Sequence, residues 1–271
     1  MNKQGAMVER YEGLPATNEG VPVFAFKVSP VKEGTLFAAA VGIVLFDYVV
    51  GDRYIKRHGA PCDSTTINRF DRGVVRWHNR VLGPLSYLME VAAILTPAII
   101  TIRDRGFRRE LAEDLWVYSE TFAVSSALNM TIKTLVQRPI PLLYGRVLPD
   151  LEKRASSYRS FYSGHAAQLT NALVANAVMS RLRGNKRVWP WALAAIGTAA
   201  VSLARVGCGR HFYSDVAVGA LAGGVVGGLV PLLHPAKRLG GPVPQTSLKA
   251  RAAVPCVSSL VKRYAGPTLT H

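Results

Sequence analysis

The amino-acid sequence predicts an all-α fold, a six-helix transmembrane bundle, and three observations predict it. Apolar residues gather in six blocks that approach the ~20 residues a helix needs to cross a bilayer. Hydrophobic residues make up 49% of the chain and charged residues 18%, below the roughly 25% charged content usual in soluble domains. The 33 Lys and Arg, against 17 Asp and Glu, give a net charge of +16 over 271 residues and lie mainly between the blocks. A nucleic-acid binder would collect such charge on one face. Spread over every loop, it reads as topology and contact with anionic headgroups, so no nucleic-acid partner is expected.

The blocks follow in order. Residues 1–34 are mixed and charged, lack a signal-peptide core, and are expected as a cytoplasmic N-terminal segment. A membrane domain over 35–234 then carries apolar stretches at 35–50, 85–102, 115–136, 165–180, 188–204 and 211–233. The long connection at 51–84 contains "INRFDRGVVRWHNRVLG", whose mixture of basic and apolar residues suits an interfacial helix. Residues 235–271, rich in Gly, Pro, Ser and basic side chains, are expected as a disordered, surface-attached tail.

Polar residues interrupt the blocks: Asp47, Glu90, Glu120, Asn129, Asn171 and Asn176. Polar groups are costly in hydrocarbon, so these should face the bundle interior or a wet cavity. The last block holds Gly219, Gly223 and Gly227, and also Gly224 and Gly228, at the four-residue spacing that lets helix backbones approach in lipid. Trp189 and Trp191 open the fifth block, where an aromatic belt would sit. Cys62, Cys208 and Cys256 form neither a disulfide framework nor a metal-ligand cluster.

Basic residues at 103–109 and 181–187 mark the cytoplasmic side, together with both termini. Three polar stretches then share the opposite, outer face: "KTLVQRPIP", "SFYSGH" and "ARVGCGRHFYSD". In the last, Arg205, His211 and Asp215 are spaced R-x5-H-x3-D. His211 and Asp215, four apart at a helix start, share a face. A carboxylate there can hold one imidazole nitrogen and leave the other free to attack, while Arg205 offers a planar fork for phosphate oxygens. The bland alternative is a helix-capping carboxylate beside a satisfied histidine. In the second stretch Ser163 is placed as an N-cap, Gly164 permits close backbone approach, and the first helical turn presents free N–H groups to an anion. His165 there can donate a proton to a departing oxygen. In the first stretch Lys133 and Arg138 are cations beside a proline break, snorkelling or bound to an anion.

Together these residues resemble the type 2 phosphatidic acid phosphatase superfamily, whose signature is K-x6-R-P, P-S-G-H and S-R-x5-H-x3-D. The second and third parts match as "YSGH" and "ARVGCGRHFYSD", with Tyr162 and Ala204 in place of proline and serine. Seven residues beyond Lys133 stands Ile140, followed by Pro141, where the family has arginine; Arg138, followed by Pro139, is the nearest substitute. The resemblance spans roughly residues 115–233. It implies a phosphatidic acid phosphatase type 2/haloperoxidase-like core and a lipid phosphatase acting on a phosphate monoester or diphosphate. His211 would be the nucleophile, forming a phosphohistidine. Asp215 would orient it, and His165 would protonate the leaving oxygen and then activate water. Lys133, Arg138, Ser163, Gly164 and Arg205 would bind the phosphate, with no metal and no cofactor. The expected partner is a lipid phosphate reached from a bacterial inner membrane, with the site facing the periplasm or outside. The alternatives are a phosphotransferase using the same intermediate and a catalytically decayed relative.

Overall fold

The structure, a computed structural model, describes residues 23–26, 28–57, 59–105, 109–145, 149–183, 186–234 and 236–239. Most of the expected N-terminal segment and tail, at 1–22 and 240–271, and Cys256 lie outside the described residues.

Six long helices carry the fold: α1 (Pro30–Val50), α2 (Leu82–Arg105), α3 (Arg109–Val136), α4 (Gly164–Leu182), α5 (Trp189–Gly207) and α6 (Tyr213–Leu233). Each coincides with one apolar block to within a few residues at either end. Two four-residue strands, β1 (Val23–Phe26) and β2 (Ala236–Leu239), pair as a small sheet, so the segment after His234 begins with a strand. Short helical turns occupy the connections, including Leu142–Gly145 and Pro149–Glu152.

Helix boundaries follow from local chemistry. Proline at the first turn of α1 and of α5 has its φ pre-set and sacrifices a backbone donor that a helix start leaves unpaired anyway. Helix α3 stops at Gln137, whose φ is +49°. The following Arg138 precedes a proline and is pushed out of the helical region. The Gln137 side chain compensates by bonding to Tyr54 O at 3.1 Å, Thr134 O at 2.9 Å and the Lys56 amide at 2.8 Å, which ties the end of α3 to the first connection. Helix α5 ends at Gly207, and Gly209 just beyond its Cys208 cap has a φ of +70° that suits a residue without Cβ.

Helix α4 is the hub: thirteen of its nineteen residues are buried, and it packs against α2, α3, α5 and α6. The α4–α6 contact explains one glycine stripe and not the other. A Cβ on Gly219, Gly223 or Gly227 would lie 2.6, 2.1 and 2.5 Å from the carbonyls of Ser163, Ala167 and Asn171, respectively. One on Gly228 would meet nothing within 4 Å. Helix α6 therefore lies backbone-to-backbone on α4 along the 219/223/227 face.

Among the described residues, four helical segments are long and apolar enough to cross a membrane: Val31–Tyr54, Leu82–Arg103, Trp189–Gly207 and Tyr213–Leu233. Their outward side chains, such as Phe46, Leu88, Ile196 and Leu221, stay exposed in the isolated chain. Apolar surface of that extent belongs in lipid, and the chain is a membrane protein. Helices α3 and α4 are as long but too polar to qualify by composition. The polar residues of both helices turn inward, while α3 still exposes Leu115, Phe122, Leu128 and Leu135 on its outer side. Glu120, Asn129, Asn171 and Asn176 are all buried, and so is Asp47 on α1.

The stretch expected as an interfacial helix forms only short turns, Ser64–Thr66 and Arg72–Arg76. Asp71 and Val74 are fully buried there, so this connection folds into the protein instead of lying along a surface. Cys62 and Cys208 are free thiols.

Candidate active site

The helices alternate in direction, so the C-terminal ends of α1, α3 and α5 and the N-terminal ends of α2, α4 and α6 share one end of the bundle. A cavity of about 810 Å³ opens there. Lys133 from α3, Gly164 and His165 from α4, Arg205 from α5 and His211 from the α5–α6 connection all line it. Two imidazoles 46 positions apart in the chain thus face one space.

His211 is 4% exposed, and its Nδ1 lies 2.8 Å from the carbonyl of Ser160. A carbonyl only accepts, so Nδ1 carries the hydrogen and Nε2 keeps its lone pair. Burial pushes the imidazole down to about 4, with the Arg205 and Lys133 cations adding to the effect against the opposing pull of Asp215. The ring is neutral at physiological pH.

Asp215 is fully buried and acts differently from the expected direct partner. Its Oδ2 lies 3.7 Å from His211 Nδ1. The same oxygen accepts hydrogen bonds from the Phe212 amide at 2.9 Å and from the Ser160 hydroxyl, and Oδ1 receives Arg138 Nη1 at 2.6 Å. Asp215 thus caps α6 and fixes the segment whose carbonyl holds the imidazole. Of the two readings weighed from the sequence, the helix cap is present in this carboxylate, and His211 is held through the Ser160 carbonyl.

Ser163 is the N-cap of α4, its Oγ accepting from the Ala166 amide at 3.4 Å, and its own amide donates to Asp215 O at 3.0 Å. The segment before α4 is held further by Asn129 Nδ2, which donates to Tyr162 O at 2.9 Å. The first turn of α4, with its unpaired N–H groups, is presented to the cavity at Gly164. Lys133 Nζ donates to Arg159 O at 2.9 Å and keeps two further protons for a ligand.

Arg138 and Ser163 do not line the cavity. The Arg138 guanidinium lies over the Phe212 ring at 3.9 Å and bonds Asp215, Ser214 Oγ at 2.8 Å and Asp71 Oδ2 at 2.8 Å. Asp71 in turn takes the Ser214 amide at 3.0 Å and Asn68 Nδ2 at 2.8 Å. Burial alone would raise the Asp71 carboxyl, but the bonds from Ser214, Arg138 and Asn68 more than offset it and hold it below the usual carboxylate range. Ile140 is 3% exposed in a core cluster with Ile55, Leu142, Leu143 and Tyr158. Arg138 does not reach the cavity, and Ile140 borders it with an apolar side chain.

The cavity draws its remaining cations from places the sequence reading did not single out: Arg80, Arg154, Arg159 and Arg210. Arg159 stands immediately before the "SFYSGH" stretch and Arg210 immediately before His211, which is the one signal that could have found them. Helix α2 contributes a wall: Ser86 Oγ receives Arg205 Nη1 at 3.2 Å, and the Tyr87 ring stands edge-on to His165 with centroids 4.3 Å apart. Among the described residues no carboxylate lines the cavity, and no three His, Cys, Asp or Glu side chains converge as ligands for a metal ion. The arrangement suits a phosphate: a dense positive field, a helix N-terminus, a neutral buried imidazole with a free Nε2 and a second imidazole across the space.

No curated protein sequence matches the chain. Among solved structures, the crystal structure of the first transmembrane PAP2 type phosphatidylglycerolphosphate phosphatase from Bacillus subtilis is similar over 74% of this chain and 95% of that one, with 17% sequence identity and a TM-score of 0.43. The family model described as the PAP2 superfamily matches residues 114–239, the stretch that holds all three motifs.

Proposed function

We propose that the chain is an integral membrane phosphatase that hydrolyses a lipid phosphate monoester or diphosphate through a phosphohistidine, with no metal ion. One observation carries the reading: His211 Nδ1 is engaged by the Ser160 carbonyl at 2.8 Å while the ring borders a cavity shared with His165, Lys133 and Arg205.

In the first step Nε2 of His211 attacks phosphorus, the N–P bond forms and the P–O bond to the lipid breaks. His165 gives its proton to the departing oxygen. In the second step His165 takes a proton from water, the water oxygen attacks phosphorus and the N–P bond breaks. The products are a lipid alcohol, or a monophosphate from a diphosphate, and orthophosphate. Lys133, Arg205 and the α4 N-terminus, with Ser163 as its cap and Gly164 at its mouth, stabilise the charge that spreads over the equatorial oxygens. Asp215 holds His211 through the Ser160 segment, and Arg138 braces Asp215 from behind. A site at the end of a membrane bundle selects amphiphilic esters whose tails stay in hydrocarbon. The basic connections at 103–109 and 181–187 support an orientation with the cavity on the outer side of a bacterial plasma membrane. The division into an N-terminal segment 1–34, a membrane domain 35–234 and a tail 235–271 belongs to the same reading.

The test is release of orthophosphate from dioleoyl phosphatidate in detergent micelles by the purified chain, with EDTA present. Turnover that persists with chelator and vanishes in His211→Ala is the expected result. Transfer of the phosphoryl group to an added alcohol in place of water would identify a phosphotransferase, and no turnover on any lipid phosphate would identify a decayed relative.

A further inference from the structure

General-acid catalysis by His165 poses an electrostatic problem. The ring is largely buried and is surrounded by Lys133 of α3, Arg205 of α5 and His211, every one of which opposes a proton on it. One carboxylate answers them. Glu90 of α2 places Oε2 3.3 Å from His165 Nε2, with the two side chains 17% and 14% exposed. Among the described residues no hydrogen-bond partner reaches that nitrogen, and the Glu90 carboxylate stands beside it. Glu90 interrupts the apolar run "LSYLMEVAAILTP", a placement that membrane helices tolerate only for a purpose. Tyr87, one turn earlier on the same face of α2, packs edge-on against the ring.

We infer that Glu90 is a positioning residue for the acid step: it engages His165 Nε2, offsets the surrounding cations so that the ring takes up a proton, and turns Nδ1 toward the departing ester oxygen. The inference rests on the phosphatase reading. It gives the acid side of the cavity a carboxylate–imidazole pair and leaves the nucleophile side to the carbonyl of Ser160. On binding, the phosphate adds negative charge and joins Glu90 in favouring the protonated ring. The proton passes from Nδ1 to the alkyl oxygen as the P–O bond breaks, and Glu90 keeps its charge throughout.

The experiment compares kcat/KM on two monoesters, short-chain phosphatidate, whose alkoxide leaving group needs a proton, and p-nitrophenyl phosphate, whose phenolate does not. In Glu90→Gln the phosphatidate value should fall by about 100-fold, within the range of general-acid contributions, with the nitrophenyl value within about threefold of wild type. In a His165→Ala background the same substitution should cost nothing more, because the two groups act as a unit. Equal losses on both esters, undiminished activity on phosphatidate, or losses that add to those of His165→Ala would overturn the inference. Should Glu90→Gln fail to fold, Glu90→Asp carries the test, with a smaller loss confined to phosphatidate expected and equal losses contradicting it. A wild-type chain that releases phosphate from neither ester defeats the phosphatase reading itself, and the Glu90 inference with it.

Discussion

At the scale of single residues, His211 is the centre of the account. Its imidazole is held neutral by burial, so its titration in detergent, followed by NMR, should have a midpoint near 4. The sign follows directly: the nucleophile is lost only as pH falls through that value, and an ordinary midpoint near 6.5 would mean that burial does not govern the ring. His211→Ala should lower turnover by about 1,000-fold or more, measured as phosphate release. Asp71 makes a different kind of prediction. Its carboxylate gathers Arg138, Ser214 and Asn68 behind the cavity. Asp71→Asn should lower unfolding free energy by about 3 kcal/mol, seen as a fall in the melting midpoint; an unchanged midpoint would show that the network is slack. His211, His165, Gly164 and Arg205 were legible in the sequence because their spacing puts them at helix ends. Asp71 was not, because a lone aspartate in a basic loop looks like any solvated charge. Arg138 was legible as a cation but not in its direction, which is set by two carboxylates remote in sequence.

At the scale of elements, the glycine stripe decides how α6 meets α4. Gly223→Ala would drive a methyl against the Ala167 carbonyl, 2.1 Å away, and should cost about 1–3 kcal/mol. Gly228→Ala faces open space and should be neutral or slightly stabilising, since alanine favours a helix over glycine by up to about 1 kcal/mol. Equal effects of the two on thermal unfolding would contradict the packing described. The helices themselves were legible from apolar length alone. The stripe was half legible: spacing named both glycine rows, and only the contact with α4 distinguishes 219/223/227 from 224/228. The 51–84 connection was misread as an interfacial helix because its basic and apolar mixture suits a membrane surface equally well. Burial of Asp71 and Val74 shows that the apolar residues serve the protein core, and the Arg138–Asp71 pair supplies the reason.

At the scale of the whole molecule, alternating helix direction brings six chain segments to one end and concentrates positive charge there. Composition announced the membrane and the net charge but not that α4 is the buried hub, since a polar helix packed among four others resembles a soluble helix when read alone. In the proposed mechanism cations from several segments take the part of a metal, so phosphate release should be unaffected by EDTA, and full loss with recovery on adding magnesium would contradict that division of labour. The central claim is that His211 becomes bonded to phosphorus. Rapid quenching of the enzyme with ³²P-labelled phosphatidate tests it most directly. The account predicts acid-labile, alkali-stable label on the peptide that contains His211 and none in His211→Ala; label on another residue, or turnover with no labelled protein at any time, would contradict it.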